Sequence, residues 1–223
     1  MTRYHHIFVV VLAGLLALAI GCTDMQGPEY LDTANSPQGN GWMALCNGKD
    51  LTGWKSLTPD RPMSWKVVDG VMVNAPTEEH GVNIYSEKQF DDFELYYEYR
   101  IQKNGNSGVF LRGIYEIQIV DDFGLPVDKP KDSGNGGLWS LKTPSANVSK
   151  PAGQWQSVYT KLVGNNVTVI LNGQKIIDNF ELTRGTHVYK ELPIEHGKPG
   201  PILVQGDHKP VEYRHIMIRP IKK

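Results

Sequence analysis

The chain has 223 residues, enough for one large domain or two small ones. Its 23 basic and 24 acidic side chains leave a formal charge of −1, with the two signs mixed throughout and no Lys/Arg cluster. That balance argues against a nucleic-acid partner and suits a neutral polar ligand better than a polyanion.

Residues 1–21 start with Arg3, His5 and His6 and run on into the apolar segment Ile7–Ile20. The segment is short for a membrane span and has the layout of a signal peptide. It ends Leu18-Ala19-Ile20-Gly21-Cys22, which resembles a bacterial lipobox. The resemblance implies cleavage after Gly21 and a lipid on Cys22. The membrane would then be a partner through that lipid, and the protein would sit in the cell envelope as a periplasmic or outer-membrane lipoprotein. An ordinary secretory peptide is the alternative. With Cys22 lipidated, Cys46 has no thiol partner and reads as a small buried hydrophobe. Residues 22–40 are rich in Gly, Pro, Asn, Asp and Thr and read as a tether, leaving one domain over 41–223.

From Trp42 onward the pattern is β. Trp65–Val68 and Val71–Asn74 flank Asp69-Gly70, a two-residue hairpin signal. Val82–Ser86 is a short strand. Phe93–Ile101 is the longest, with Phe93, Leu95, Tyr97, Tyr99 and Ile101 alternating against Glu94, Tyr96, Glu98 and Arg100. Asn104-Gly105 turns the chain into Asn106–Asp122, two apolar runs broken at Gly113. Trp155–Leu162 follows, then Val167–Leu171 and Lys175–Phe180 joined at Asn172-Gly173, then Pro201–Gln205 and Val211–Ile218. No helical stripe exceeds about two turns. Short strands with Gly, Asn and Asp turns predict a sandwich of two antiparallel sheets. Gly124–Lys150 and Glu181–Pro199 resist a strand reading; loops of this length in a compact domain tend to be functional, here as cleft walls.

The chemistry-bearing candidates lie on polar strand faces. Phe110 and Arg112 share one face, and Glu116 and Gln118 share another between Tyr115, Ile117 and Ile119. If the strands carrying Glu98, Arg100, Arg112, Glu116 and Gln118 are neighbours, their charges line one surface and form a site. The bland alternative is a set of cross-strand pairs on a wetted sheet face. Gln205-Gly206-Asp207-His208 follows an apolar strand, which makes His208 the one histidine at a clear strand end. Trp139, in a Gly-rich loop, is either core or a stacking platform for sugars. No P-loop, dinucleotide fingerprint, His-Glu-x-x-His or Gly-x-Ser-x-Gly is present, so no nucleotide cofactor is expected. Glu116-Ile117-Gln118-Ile119-Val120-Asp121 lacks the carboxylate spacing of sandwich glucanases, which weakens a two-carboxylate mechanism.

Several ordered motifs carry a family resemblance. They are Leu45-Cys46-Asn47-Gly48-Lys49-Asp50-Leu51-Thr52-Gly53-Trp54, Trp65–Gly70, Asp92–Leu95, Gly105–Arg112, Tyr115–Gln118, Gly200–Ile202 with Gln205–His208, and Ile216–Pro220. Together they resemble the 3-keto-disaccharide hydrolase domain over about Gly41 to Lys222. Cys46 stands where the family usually has Phe, and Gly206 is placed differently from the common pattern before His208. The resemblance implies a concanavalin A-like jelly-roll sandwich acting on glycosides already oxidised at C3. A ketone there acidifies the C2 proton, so proton removal and loss of the C1 substituent give an elimination that water then completes as hydrolysis. The base would be His208 or Glu98. The electrophile would be Arg112 or a divalent metal ion held by Glu116 and His208, with Arg100, Gln118, Trp139 and Gln205 binding substrate. A separate sugar 3-dehydrogenase would act upstream. The rivals are a non-catalytic carbohydrate-binding module of the same fold and a conventional glucanase.

Overall fold

The computed structural model describes residues 37, 39–76, 80–130 and 133–222, so the expected signal peptide, most of the tether and Cys22 lie outside the described residues. In chain order the strands are β1 (Met43–Ala44), β2 (Trp54–Ser56), β3 (Trp65–Val68), β4 (Val71–Asn74), β5 (Ile84–Phe90), β6 (Phe93–Ile101) and β7 (Asn106–Leu111). They continue with β8 (Tyr115–Val120), β9 (Gln156–Val163), β10 (Asn166–Leu171), β11 (Gln174–Glu181), β12 (Gly200–Val204) and β13 (Val211–Pro220). The two shortest, β1 and β2, escape the sequence pattern because neither is long enough to alternate.

These strands form two antiparallel sheets. One runs β11-β10-β9-β6-β13-β4-β3 with β1 beside β13, and the other runs β2-β5-β12-β7-β8. The core between them follows strand periodicity. Phe93, Leu95, Tyr97, Tyr99 and Ile101 of β6 meet Val109 and Leu111 of β7, Ile117 and Ile119 of β8, and Ile202 and Val204 of β12. Asp69-Gly70 and Asn172-Gly173 take positive φ at both residues, which matches the twist of the hairpins they close. Cys46 is a half-buried free thiol packed against the core, and burial raises its pKa.

One expectation about layout is corrected. The turn at Asn104-Gly105 does not pair β6 with β7; it carries the chain from the larger sheet to the smaller one. The inward faces of both strands therefore meet in the core, and their polar faces point to opposite outer surfaces of the sandwich. Glu98 and Arg100 lie on the far side from Glu116.

Candidate active site

The outer face of the smaller sheet is hollow. Its floor takes Glu116 and Gln118 from β8, Asn106 and Phe110 from β7, and Gln205 from the end of β12. The register sets Phe110 opposite Glu116 and Gly108 opposite Gln118. Three loops raise walls around it, contributing Trp139, then His187 and Tyr189, then Asp207 and His208. The cavity holds about 380 Å³, within the range of small-ligand clefts.

β8 is an edge strand, and two of the walls are anchored to its open side. Gln118 N donates to Gly137 O at 2.8 Å, Gly136 N to Gln118 O at 2.8 Å, and Trp139 N to Glu116 O at 3.2 Å. Further along, Glu116 N donates to Thr186 Oγ1 at 2.8 Å, and that hydroxyl donates to Ile114 O at 3.0 Å. The long loops of the sequence thus complete the sheet edge and carry the cleft's aromatic groups with them. Trp139 remains 39% exposed, while Tyr189 sits edge-on to Phe110 at 5.6 Å and against His187 at 4.3 Å between ring centroids.

Glu116 is the electrostatic centre. It is 6% exposed, and burial pushes its carboxyl up to about 7. Nearby His208 pulls the value down and Asp207 pushes it up. The carboxyl leans across the neighbouring strand, where only a glycine leaves room: a Cβ on Gly108 would lie 2.5 Å from Glu116 Oε1 and 2.9 Å from its Cγ. Gly108→Ala is therefore expected to push the carboxyl out of the cleft. It should cost about 1–3 kcal/mol of stability and lower kcat by more than the folded fraction explains. Denaturant titration and a rate measurement on the same preparation check this.

The same cleft holds an Asp–His pair close enough to act on the Glu116 carboxyl. His208 Nδ1 lies 2.7 Å from Asp207 Oδ1. An ionised carboxylate only accepts, so Nδ1 carries the proton and the basic lone pair is on Nε2. Burial pushes the Asp207 carboxyl upward, but hydrogen bonds from His208 and Asn83 and the charge of His208 outweigh it and hold it below its ordinary value. Asn83 grips the loop from beneath: its Oδ1 accepts from Gly206 N at 2.8 Å and Asp207 N at 3.2 Å, and its Nδ2 donates to Asp207 Oδ2 at 3.3 Å.

Of the residues singled out from sequence, Glu116, Gln118, Trp139, Gln205 and His208 come together in this cleft. Glu98, Arg100 and Arg112 do not. Glu98 is buried on the outside of the larger sheet. It accepts from Tyr96 Oη at 2.8 Å and Arg214 Nε at 2.5 Å, with His215 Nδ1 at 3.2 Å. Arg100 pairs with Glu212 beside it and lies over Trp155. Arg112 departs from strand alternation because β7 ends at Leu111; its φ of 50° begins the turn into Gly113. Its guanidinium is buried against Asp91 O at 2.8 Å and Asp92 Oδ1 at 3.1 Å, a structural role. Sequence reasoning missed Tyr189, His187, Asn83, Thr186 and the role of Gly108. Asp207 was visible as the neighbour of His208.

The donor set does not fit a closed metal site. Among the described residues no three His, Cys, Asp or Glu side chains are placed to hold an ion together. Glu116 and His208 would supply two ligands, and Asp207 is committed to His208 and Asn83.

Two antiparallel sheets with a polar, aromatic-walled cleft on one outer face define a β sandwich that carries a ligand-sized site. The fold is shared with a glycosyl hydrolase, by name, from Parabacteroides distasonis ATCC 8503, with a TM-score of 0.67 at 21% identity over 84% of this chain and 99% of that one. A second structure of that description from the same organism has a TM-score of 0.66 at 27% identity, over 82% and 84% of the two chains. A carbohydrate-binding module from Bacillus subtilis is more distant, with a TM-score of 0.50 at 11% identity over 75% and 96%. Residues 41–219 match the model of the 3-keto-alpha-glucoside-1,2-lyase-like domain, and the chain belongs to that family. A curated relative from Bacteroides thetaiotaomicron, named 3-keto-disaccharide hydrolase, is 24% identical over 170 residues. The match covers 62% of this chain and 58% of that relative's length.

Proposed function

We propose that this protein cleaves the glycosidic bond of 3-keto glycosides by elimination followed by hydration. The observation that carries the reading is Glu116, a carboxyl still protonated near neutrality, sharing a sugar-sized cleft with an oriented Asp207–His208 pair. An acid and a base in one cleft are the two proton-transfer groups that an elimination needs. His208 Nε2 takes the C2 proton. The C2–H electrons form the C2–C3 enolate, with negative charge on the C3 oxygen. As the carbonyl re-forms, those electrons make the C1–C2 double bond and the C1–O bond breaks. Glu116 gives its proton to the departing oxygen. Water then adds to C1 and yields a proton to the Glu116 carboxylate, while the imidazolium of His208 returns a proton to C2. Both groups are restored, and the sum is hydrolysis.

Asp207 cannot readily serve as a second catalytic carboxylate, because His208 and Asn83 occupy it. This disfavours a conventional two-carboxylate glycosidase. A divalent ion acting here would take two ligands from Glu116 and His208 and the rest from sugar oxygens; turnover with and without chelator reads that directly. The substrate would come from a separate sugar 3-dehydrogenase.

The test is incubation of pure protein with a 3-keto disaccharide and with its unoxidised parent. Release of free 3-keto sugar from the first alone is the expected result, together with incorporation of solvent deuterium at C2. Binding of either sugar without turnover would favour a carbohydrate-binding module. Cleavage of the unoxidised parent would favour a glucanase. For location, a lipid on Cys22 is proposed from the sequence. Cys22→Ser should then move the protein from the membrane fraction to the soluble envelope fraction; unchanged partition would rule the anchor out.

A further inference from the structure

Asn83 immediately precedes β5, and no step of the elimination uses it. The register pairs Ile84 with Val204 of β12, so Asn83 lies beside the point where the chain leaves β12 as Gln205-Gly206-Asp207-His208. Its main chain is fixed there, because its carbonyl accepts from Leu57 N at 2.8 Å. The side chain is 5% exposed and turned to that loop. Its Oδ1 accepts from both Gly206 N and Asp207 N. Only an oxygen can meet two backbone donors, so the amide cannot flip and Nδ2 must face the Asp207 carboxylate. It donates to Oδ2 at 3.3 Å, while Oδ1 of the same carboxylate lies 2.7 Å from His208 Nδ1. The two oxygens thus have different partners.

The backbone of the loop has other holds. Asn74 Nδ2 donates to Gly206 O at 2.9 Å, and His80 Nδ1 lies 3.0 Å from Asp207 O. Gly206 is pressed so closely on its neighbour that a Cβ there would lie 2.4 Å from Val82 O. Placing the loop therefore does not require the side-chain bond from Asn83 to Asp207. What that bond controls is the turn of the carboxylate, whose side chain is 35% exposed and so has water to turn to. We propose that Asn83 is a positioning residue for the base: its donor holds Oδ2, keeps Oδ1 on His208 Nδ1 and thereby sets the tautomer that leaves Nε2 free to take a proton. A side chain with acceptors alone, such as aspartate, would meet both backbone N–H groups but repel the carboxylate.

This deepens the elimination reading, in which Nε2 is the base, and its test needs no turnover. Nitrogen NMR of histidine-labelled protein, at a pH well above the imidazole range, shows which ring nitrogen carries the proton. His208 is recognised by the signal missing from His208→Ala. The native signal should be the Nδ1–H form. In Asn83→Ala it should move toward the Nε2–H form, and kcat should fall at least about tenfold with little change in KM. A double exchange, Asn83→Asp with Asp207→Asn, keeps the acceptor for the loop backbone and covers the case in which Asn83→Ala fails to fold. Asp207→Asn alone should show Nε2–H, because the Asn83 donor draws the new amide oxygen to itself and turns the amide N–H toward the ring. Adding Asn83→Asp replaces that donor with an acceptor, so the amide oxygen turns back to His208 and Nδ1–H should return. An imidazole that stays in the Nδ1–H form in Asn83→Ala, or keeps the Nε2–H form in the double exchange, would overturn the proposal. A tautomer that moves as expected while kcat holds would support the role of Asn83 and overturn His208 as the base.

Discussion

Glu116→Gln is expected to lower kcat by about two to four orders of magnitude, the usual worth of a positioned general acid. The glutamine keeps the shape of the side chain over Gly108 but has no acidic proton to give the departing oxygen. KM should change far less, because a neutral amide occupies the space of a carboxyl that is already neutral below about 7. The wild-type rate should fall as pH rises through about 7, where Glu116 loses its proton. In Glu116→Gln that basic limb should disappear. Stability should move the other way. The folded pKa lies above the ordinary carboxyl value, so between about 4.5 and 7 the folded protein holds a proton that the unfolded chain has released. Wild-type stability therefore drops across that window, by about 3 kcal/mol for a shift of this size. Glu116→Gln escapes the drop: it should match wild type below pH 4.5 and exceed it above pH 7. Denaturant midpoints at the two ends of the range check this. A variant that loses activity yet is no more stable at high pH would mean that the buried carboxyl is not at odds with its surroundings as described.

The same residue shows what the sequence disclosed and what it hid. Glu116 stands out because it interrupts Tyr115, Ile117 and Ile119, and alternation alone puts it on the face away from the core. The strands, the sandwich and both Asn-Gly and Asp-Gly hairpins follow from the same periodicity. Alternation does not say which sheet a strand joins. Glu98 on β6 shows an equally clear polar face, yet it belongs to the other outer surface, because the turn at Asn104-Gly105 crosses between sheets. Only the inward face of a strand is set by hydrophobicity; what the outward face meets depends on strand order, which is a long-range property. Arg112 failed for a local reason: the strand ends one residue before it, and a positive φ carries its side chain to Asp91 and Asp92. Tyr189 lies in a segment with no period, so its place over Phe110 follows from the docking of Thr186 on the β8 edge. Gly108 reads in sequence as an interruption of a strand. Its meaning comes from the carboxyl lying over it.

His208→Ala should lower kcat by a factor comparable to that of Glu116→Gln, because the base that takes the C2 proton is gone. Added imidazole should restore part of the rate, since the deletion leaves a space open to solvent: the native side chain is 47% exposed. Asp207→Asn tests a different action. Asp207 touches His208 rather than the reacting carbons, and its carboxylate keeps the proton on Nδ1. An amide can donate there instead, which moves the proton to Nε2 and silences the base. A loss of at least about tenfold in kcat with little change in KM is expected. The pH profile distinguishes this from mere loosening of the loop. The charge of Asp207 is one of the causes that raise the Glu116 carboxyl. Removing that negative charge should therefore shift the basic limb of the rate profile to lower pH. A limb that stays in place in Asp207→Asn would mean that Glu116 and the Asp207–His208 pair do not act on the same sugar.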